Sequence, residues 1–190
     1  MIARPAFINF AGPFGNLLGE GWWVDSKGDV WRAFERDANL YVYRFQGLDA
    51  RGLPRYDAEH PEKIPGTPAL AQISRIRYLP ERDMMVIAGD PEKVEMHGIG
   101  HKVAVIHHWS QGNRMPAVSI DMPEQNREHP NDTPASMDVA GDFLFYVEQF
   151  EKGRGRVHVH RLADGAYVGY MDPDATVAGR KNCGWFDMPN

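Results

Sequence analysis

One short pattern occurs three times in the chain of 190 residues. In each copy an aspartate that follows Gly or Arg begins a run of mostly apolar residues. The copies are residues 28–35 (GDVWRAFE), 82–89 (RDMMVIAG) and 141–148 (GDFLFYVE). Their first aspartates, Asp29, Asp83 and Asp142, are therefore 54 and 59 residues apart. A period of this length is typical of repeat folds, whose units are stable only when they pack against their neighbours.

Further short strands are predicted around each copy. One strand precedes it, at residues 22–24, 76–78 and 136–138. A third strand follows it, at residues 41–45 (YVYRF), 105–109 (VIHHW) and 158–162 (HVHRL). After a turn that contains glycine, a fourth strand is expected at residues 54–56, 117–120 and 167–171. Four short antiparallel strands per repeat are the pattern of a β-propeller blade.

We therefore predict an all-β chain made of propeller blades, with a β-sandwich as the alternative fold. The predicted blades span about residues 20–58, 73–123 and 134–173. Residues 183–187 (CGWFD) are similar to residues 20–25 (EGWWVD), so a fourth blade is expected to start within residues 181–190. A closed propeller usually has four to eight blades. The remaining blades are expected either in a longer parent protein or in further copies of this chain.

Residues 24–33 read VDSKGDVWRA and fit the strand-turn-strand pattern D-x-x-G-D-[VIL]-W-x-A. This pattern resembles the NHL-type repeats of bacterial β-propellers and of related gluconolactonase-like propellers. The resemblance implies a propeller in an exported or surface bacterial protein, either periplasmic or secreted. Gluconolactonase-like enzymes hold a divalent cation with Glu, Asn and Asp, and no residues of this chain match that set.

The composition argues against several classes of function. The net charge is −5 and the basic residues are scattered, so no nucleic-acid partner is expected. A single cysteine, Cys183, excludes internal disulfides and Cys-x-x-Cys metal sites. No run of about 18 apolar residues is present, so no membrane span is expected. The chain also lacks a glycine-rich phosphate loop and a Gly-x-Ser-x-Gly nucleophile motif.

Two pairs of histidines are the candidates for chemistry. His97 and His101 lie in the segment MHGIGHK, where glycines prevent a helix between them. On a loop, they suit acid–base catalysis near neutral pH or metal binding. Ordinary solvated loop residues are the competing interpretation, and the preferred one. His158 and His160 alternate along a predicted strand and point to one face, where two imidazoles could bind a transition metal.

The repeat provides a control for His158 and His160. The matching residues of the other units are predicted to be Tyr41, Tyr43, Val105 and His107. A position that accepts tyrosine or valine as well as histidine indicates packing between blades. His97 and His101 are therefore the first choice for catalysis if the chain is an enzyme.

Aromatic residues and turn aspartates are the other candidates for ligand binding. Trp22, Trp185 and Phe186 could stack on a sugar ring, and blade packing is the competing interpretation. Asp25, Asp29 and residues 171–174 could contact Ca²⁺, but no 12-residue calcium loop is present. Turn formation explains these aspartates better. No cofactor is therefore predicted, and Ca²⁺ and Zn²⁺ are the ions to consider.

The leading prediction is a non-catalytic propeller module that binds a protein or a glycan, or takes part in assembly. The alternative is a propeller hydrolase or lyase that acts on a sugar or sugar acid, with or without a metal. The expected partners are a protein or glycan ligand, the remaining blades of a parent protein, or copies of the same chain.

Overall fold

A computed structural model describes most of the chain and confirms the all-β class. The described residues are 22–33, 38–93, 100–122, 133–149, 155–172, 176–177, 180–181 and 184–186. Apart from two single-turn 3-10 helices, Pro80–Arg82 and Trp109–Gln111, the regular structure in these residues is β-strand. The propeller arrangement itself stays a prediction.

The strands are numbered in chain order. The first eight are β1 (Trp22–Val24), β2 (Val30–Ala33), β3 (Asn39–Tyr43), β4 (Phe45–Leu48), β5 (Pro54–Tyr56), β6 (Glu62–Pro65), β7 (Gln72–Leu79) and β8 (Met84–Asp90). The next six are β9 (Lys102–His107), β10 (Val118–Asp121), β11 (Thr133–Ala140), β12 (Phe143–Gln149), β13 (Gly155–Arg161) and β14 (Tyr167–Asp172). The last three are β15 (Thr176–Val177), β16 (Arg180–Lys181) and β17 (Gly184–Phe186).

These strands form three larger antiparallel sheets that follow one another along the chain. The first sheet has the order β1-β2-β3-β6, the second β7-β8-β9-β10 and the third β11-β12-β13-β14-β17. Two further pairs, β4-β5 and β15-β16, form separate two-stranded sheets. Each larger sheet thus contains four strands in chain order, although the first sheet takes its fourth strand from an unexpected place.

The fourth strand of the first sheet differs from the prediction. The sequence pattern places it at residues 54–56, but β5 pairs with β4 in a separate hairpin. The fourth strand is β6, in which Ile64 lies opposite Leu40 of β3. Ile64 packs against the core between the first two sheets, whereas β4 and β5 are largely exposed. Burial of an apolar side chain therefore favours β6 at this place.

The segment expected to start a fourth blade also has a different place. β17 pairs with β14, with Phe186 opposite Tyr170, and is the fifth strand of the third sheet. It is therefore not the first strand of a new sheet among the described residues. The outer edge of β14 offers backbone N–H and C=O groups, and an extended segment can satisfy them.

The second sheet lies between the other two. One of its faces packs on the first sheet in a cluster that includes Ile87 and Trp31. Its other face packs on the third sheet in a cluster that includes Val86 and Leu144. All seven residues of β8 are buried. A strand that is covered on both faces reads as a continuous apolar run, as this one does.

The first strands of the three sheets lie beside one another. Trp23 Nε1 donates a hydrogen bond to the carbonyl of Tyr78, with a distance of 3.1 Å. Arg77 places its guanidinium 4.5 Å from the ring centre of Trp23. The same guanidinium donates to Asp138 Oδ1 at 2.9 Å and to the carbonyl of Met137 at 2.6 Å. Arg77 therefore connects the first strands of all three sheets.

The first sheet is one residue out of register with the predicted repeat. The sequence repeat aligns Trp31, Met85 and Leu144. Met85 and Leu144 each face the preceding sheet, but Trp31 faces the sheet that follows. A shift of one residue moves every side chain of a strand to the other face. The turns before these strands differ in length, at residues 25–29, 80–83 and 141–142, and they absorb the shift.

Candidate functional site

The two ends of the stacked sheets differ. At one end lie the turns between the first and second strands of each sheet, together with the connections between the third and fourth strands. We call this the turn end. At the opposite end, the loop end, the second strand of each sheet leads into the third. The candidate residues are divided between these two ends.

The repeated aspartates stabilise the turn end. Asp29 Oδ1 accepts a hydrogen bond from the backbone N–H of Phe45 at 2.8 Å. Asp83 Oδ1 accepts one from the backbone N–H of Ser110 at 2.7 Å. The bond from Ser110 is the main reason why the pKa of Asp83 is lowered. Asp142 instead pairs with the guanidinium of a neighbouring arginine. The aspartates of the repeat therefore fix turns and third-strand ends.

Asp25 is occupied in the same way by its own turn. Its Oδ1 accepts hydrogen bonds from the backbone N–H groups of Lys27 and Asp29, at 2.9 and 3.0 Å. Its Oδ2 accepts a hydrogen bond of 2.9 Å from Trp31 Nε1. These contacts support the turn-forming interpretation of Asp25 and Asp29.

Exposed apolar side chains collect at the turn end. The large apolar residues that are exposed in the described part of the chain are Val24, Phe45, Leu48, Leu53, Met115, Phe143 and Tyr167. We call these seven the apolar set. Every member lies in or next to a turn between the first and second strands or a connection between the third and fourth strands. Leu48 and Met115 are the most exposed, at 61% and 62%. Single exposed apolar residues are ordinary on a protein surface, but seven of them gathered at one end of the described residues indicate an interaction surface.

The hairpin β4-β5 supplies three members of the apolar set. Its base is attached to the first turn, because Tyr56 donates a hydrogen bond of 2.9 Å to the carbonyl of Gly28. The ring of Phe45 packs on the same glycine. At its tip, Asp49 Oδ1 accepts hydrogen bonds of 2.8 Å from the backbone N–H groups of Arg51 and Leu53. The tip is therefore held in a defined turn, with apolar side chains on both sides.

The turn end is uneven. The connection between third and fourth strands has 18 residues in the first sheet (44–61), 10 in the second (108–117) and five in the third (162–166). The extra length in the first sheet contains the hairpin β4-β5. The turn end is therefore built up at the first sheet and low at the third.

Paired charges surround the apolar set. Five arginine–carboxylate pairs lie there among the described residues: Arg44–Asp29 at 2.8 Å, Arg44–Glu62 at 2.5 Å, Arg51–Asp49 at 3.5 Å, Arg82–Asp142 at 2.9 Å and Arg161–Asp164 at 2.6 Å. Hydrogen bonding to Arg161 lowers the pKa of Asp164 to about 2. Each of these arginines has an acidic partner beside it, so the apolar set is surrounded by charges of both signs.

His158 and His160 lie in a cluster of tyrosines on the third sheet. The ring of Tyr146 stacks on His158 at 4.8 Å and contacts His160 at 5.6 Å. The ring of Tyr167 also contacts both, at 5.8 and 5.1 Å. His160 Nδ1 donates to the carbonyl of Gly165 at 2.9 Å, and burial lowers the pKa of His160. The two imidazoles thus share tyrosine neighbours, which supports the packing role that the repeat indicated.

The residues that match these histidines in the second sheet differ from the prediction. His160 lies opposite Leu144, on the face that meets the second sheet. The corresponding residue of the second sheet is Ile106, because it lies opposite Met85. The sequence repeat had matched His158 with Val105 and His160 with His107. Each of these matches is one residue too far along the strand. The control argument keeps its conclusion with this correction, because an aliphatic residue again occupies the place of a histidine.

At the loop end, Asp90 holds His101 in a fixed orientation. His101 Nδ1 lies 2.5 Å from Asp90 Oδ1, and the backbone N–H of His101 donates to the same oxygen at 3.1 Å. Asp90 is 1% exposed, and its Oδ2 has no hydrogen-bond partner within the described residues. Gly100 permits this contact, since an added Cβ would lie 2.5 Å from the backbone of Gly89. Nε2 of His101 is therefore the nitrogen that could accept a proton or bind a metal.

The other candidates lie in different surroundings or have side chains outside the described part of the chain. Trp22 is half-buried, stacked on Tyr43 at 5.9 Å with the guanidinium of Arg32 4.4 Å from its ring centre. Trp185 and Phe186 lie in β17, but the structure describes only their backbone, and His97 lies outside the described residues. Across the part of the chain that is described, no group of three or more His, Cys, Asp or Glu side chains could hold a metal.

Comparisons with known proteins give no family for this chain. Neither the protein-family models nor the curated proteins contain a sequence match. The resemblance to NHL-type repeats therefore depends on the repeat motif. Within the described residues, the structure has no helix of the length and apolar character that crossing a membrane requires.

The sequence interpretation missed the apolar set and Asp90. A signal for the hairpin was present, because Leu48 and Leu53 flank the turn residues DARG and would be unusual in a purely solvated loop. The signal for Asp90 was weaker. It is the one charged residue of the run MMVIAGD, and its burial depends on how the second sheet is covered.

Proposed function

We propose that this chain is a propeller-type, NHL-like repeat module that binds a protein partner through its turn end and has no catalytic activity. Two features support the propeller-type arrangement. Three meanders of four strands stack face to face, and their first strands lie together along one edge. Radially arranged blades have their first strands in this relation, around the central channel.

The observation that carries the binding function is the position of the apolar set. All seven residues lie at the turn end, on three different sheets. With sheets about 10 Å apart, they extend over roughly 20 Å. A broad surface with apolar anchors among arginines fits the composition of protein interfaces, in which Met, aromatic residues and Arg are enriched.

A protein partner fits these residues better than a glycan. Six members of the apolar set are Val, Leu, Met or Phe, and only one is a tyrosine, at a strand start. Sugar rings stack on flat aromatic side chains whose faces are exposed. Trp22, the described tryptophan that was the candidate for such stacking, is already covered by Tyr43 and Arg32.

Site-specific photo-crosslinking tests this function. A benzophenone amino acid is placed at Leu48 or Met115 of the turn end, or at the exposed Lys93 near the loop end as a matched control. Each protein is irradiated alone and in an extract of the cells that carry the gene. We expect adducts of discrete mass from Leu48 and Met115 only. No adduct, or equal adducts from Lys93, would contradict the proposal.

The second candidate function is the hydrolase or lyase acting on a sugar or sugar acid. The contact between Asp90 and His101 favours it, because a carboxylate that orients Nδ1 leaves Nε2 as a general base. The test is a panel of lactones and uronic-acid oligosaccharides. Under this hypothesis, His101→Gln and Asp90→Asn abolish turnover, while His108→Gln at the turn end leaves it unchanged. Absence of turnover by the unmodified protein on the whole panel would count against it.

A further inference from the structure

We propose that the turn end binds a second copy of this chain, in a two-fold dimer that places the hairpin β4-β5 of each copy over the third sheet of the other. The inference rests on the proposed function, since it names the partner of the same surface. Three properties of the turn end carry it: its shape, the distribution of its apolar side chains and the arginine–carboxylate pairs around them.

Shape is the first argument. The turn end is high at the first sheet, where the connection has 18 residues, and low at the third, where it has five. The second sheet lies between them. When two such wedges are related by a two-fold axis, the high part of each meets the low part of the other. If the first sheets of the two copies faced each other instead, a gap would remain between their third sheets.

The apolar side chains match this arrangement. The hairpin carries Leu48 and Leu53, which are 61% and 38% exposed. The third sheet carries Phe143 and Tyr167, which are 38% and 41% exposed. Met115 lies on the middle sheet and would lie near the axis. A two-fold axis therefore creates two equal contacts of hairpin on third sheet, with Met115 of both copies between them, as an isologous interface requires.

Arginines at the turn end reduce the repulsion between two copies of this surface. The chain has a net charge of −5, so contact between most of its surfaces is opposed by repulsion. At the turn end, guanidinium groups of four arginines lie within 2.5 to 3.5 Å of carboxylates in five pairs among the described residues. These pairs offset part of the acidic charge of the turn end, and they form a polar rim of the kind that surrounds interface cores.

The size of the surface is sufficient. Three sheets spaced at about 10 Å, each with four strands at about 4.8 Å, give an end of roughly 30 by 20 Å. The projected area is about 600 Å², and the relief of the hairpin raises the accessible area towards the roughly 800 Å² per partner of stable interfaces.

Sedimentation equilibrium of the purified full chain over a range of concentrations tests self-association. We expect a reversible transition from 21.5 kDa to twice that mass. Leu48→Glu should weaken dimerisation at least about tenfold, because a carboxylate replaces a leucine that is buried in each of the two contacts. Lys93→Ala changes the net charge by the same amount near the loop end and should leave the dimer unchanged. Thermal unfolding of every variant shows whether the fold is intact.

A mixing experiment tests the arrangement of the two copies. Leu48→Glu and Phe143→Arg should each weaken the dimer of a pure variant. In a mixed dimer, one contact pairs the new glutamate with the new arginine, and the other contact is unmodified. The mixture should therefore form more dimer than either variant alone.

Each outcome decides a different part of the proposal. A monomer at every concentration overturns self-association, and specific crosslinks of Leu48 to another protein would then preserve the proposed function. A dimer that Leu48→Glu leaves unchanged overturns the choice of surface. Dimers that are weakened by both variants but are not restored by mixing overturn the placement of the hairpin over the third sheet.

Discussion

The first four strands of the third sheet follow the same order as the four strands of the second sheet, but the two sheets have different surroundings. The second sheet is covered on both faces, and every residue of β8 is buried. The third sheet is covered on the face that meets the second, whereas Phe145 and Val157 on its other face are half-buried. Position in the stack, more than the local sequence pattern, therefore decides how much a given apolar side chain contributes to stability.

The largest effect predicted by this comparison is a difference in lost stability between a valine of the second sheet and a valine on the outer face of the third sheet. Val86→Ala in the second sheet should lower the free energy of unfolding by about 2 kcal/mol, because Val86 is fully buried and a cavity remains. Val157→Ala in the third sheet should cost less than about 1 kcal/mol, because part of the methyl surface already contacts water. Urea unfolding measures both. Equal losses would show that the outer face of the third sheet is as well covered as the second sheet.

The next effect is the stability lost when Arg77 no longer connects the first strands of the three sheets. Arg77→Ala should cost about 2 kcal/mol, because it removes hydrogen bonds to Asp138 and Met137 and the contact with Trp23. Asp138→Asn removes only one partner that is 64% exposed, and it should cost less than about 0.5 kcal/mol.

Arg82→Ala is the matched control for Arg77, because its partner Asp142 is 75% exposed. It should also cost less than about 0.5 kcal/mol in the same urea unfolding assay. A loss for Arg82→Ala as large as that for Arg77→Ala would remove the special role given to Arg77.

Much of the fold was predictable, because alternation and turn residues depend on local sequence. Each strand of the second sheet overlaps a predicted strand, because these strands are strongly apolar. The fourth strand of the first sheet was not, because residues 54–56 and 62–65 are both short and polar. The choice between them depends on the burial of Ile64 against another sheet, and a local pattern does not contain that information.

The candidate site was less predictable than the fold. A histidine is recognised by its type, but the contact of His101 with Asp90 depends on the close approach permitted by Gly89 and Gly100. The apolar set consists of residues that look like ordinary core residues in the sequence. Their exposure follows from the lengths of the connections at the turn end, and these lengths acquire meaning only when the three sheets are stacked.

A smaller effect is the pH dependence of stability that His160 gives to the interface between the second and third sheets. Burial lowers the pKa of His160, so the folded protein favours the neutral imidazole. The contribution of His160 is complete above the unfolded pKa of about 6.5 and is lost as the pH falls below it. His160→Tyr, which introduces a ring like those beside it, should make stability less dependent on pH between about 7 and 5. His108→Gln at an exposed position is the control, and an unchanged profile for His160→Tyr would contradict the assignment.

The smallest effect is confined to one exposed pair of the third sheet. Asp164 has a pKa of about 2, mainly because of its hydrogen bond with Arg161. Arg161→Gln should raise the pKa of Asp164 towards the ordinary value of 3.8, with no measurable change in stability. Carboxyl chemical shifts in an NMR titration measure it. A pKa that stays near 2 would assign the shift to the turn backbone instead.

The central claim is that the stacked sheets are a scaffold and that the turn end is the binding surface. Hydrogen–deuterium exchange of the purified chain at low and high concentration tests it most directly. The account predicts that amides of residues 45–56, 110–117 and 162–167 become protected at high concentration, while those of residues 90–93 and 100–102 do not change. Protection at the loop end with none at the turn end would contradict the claim.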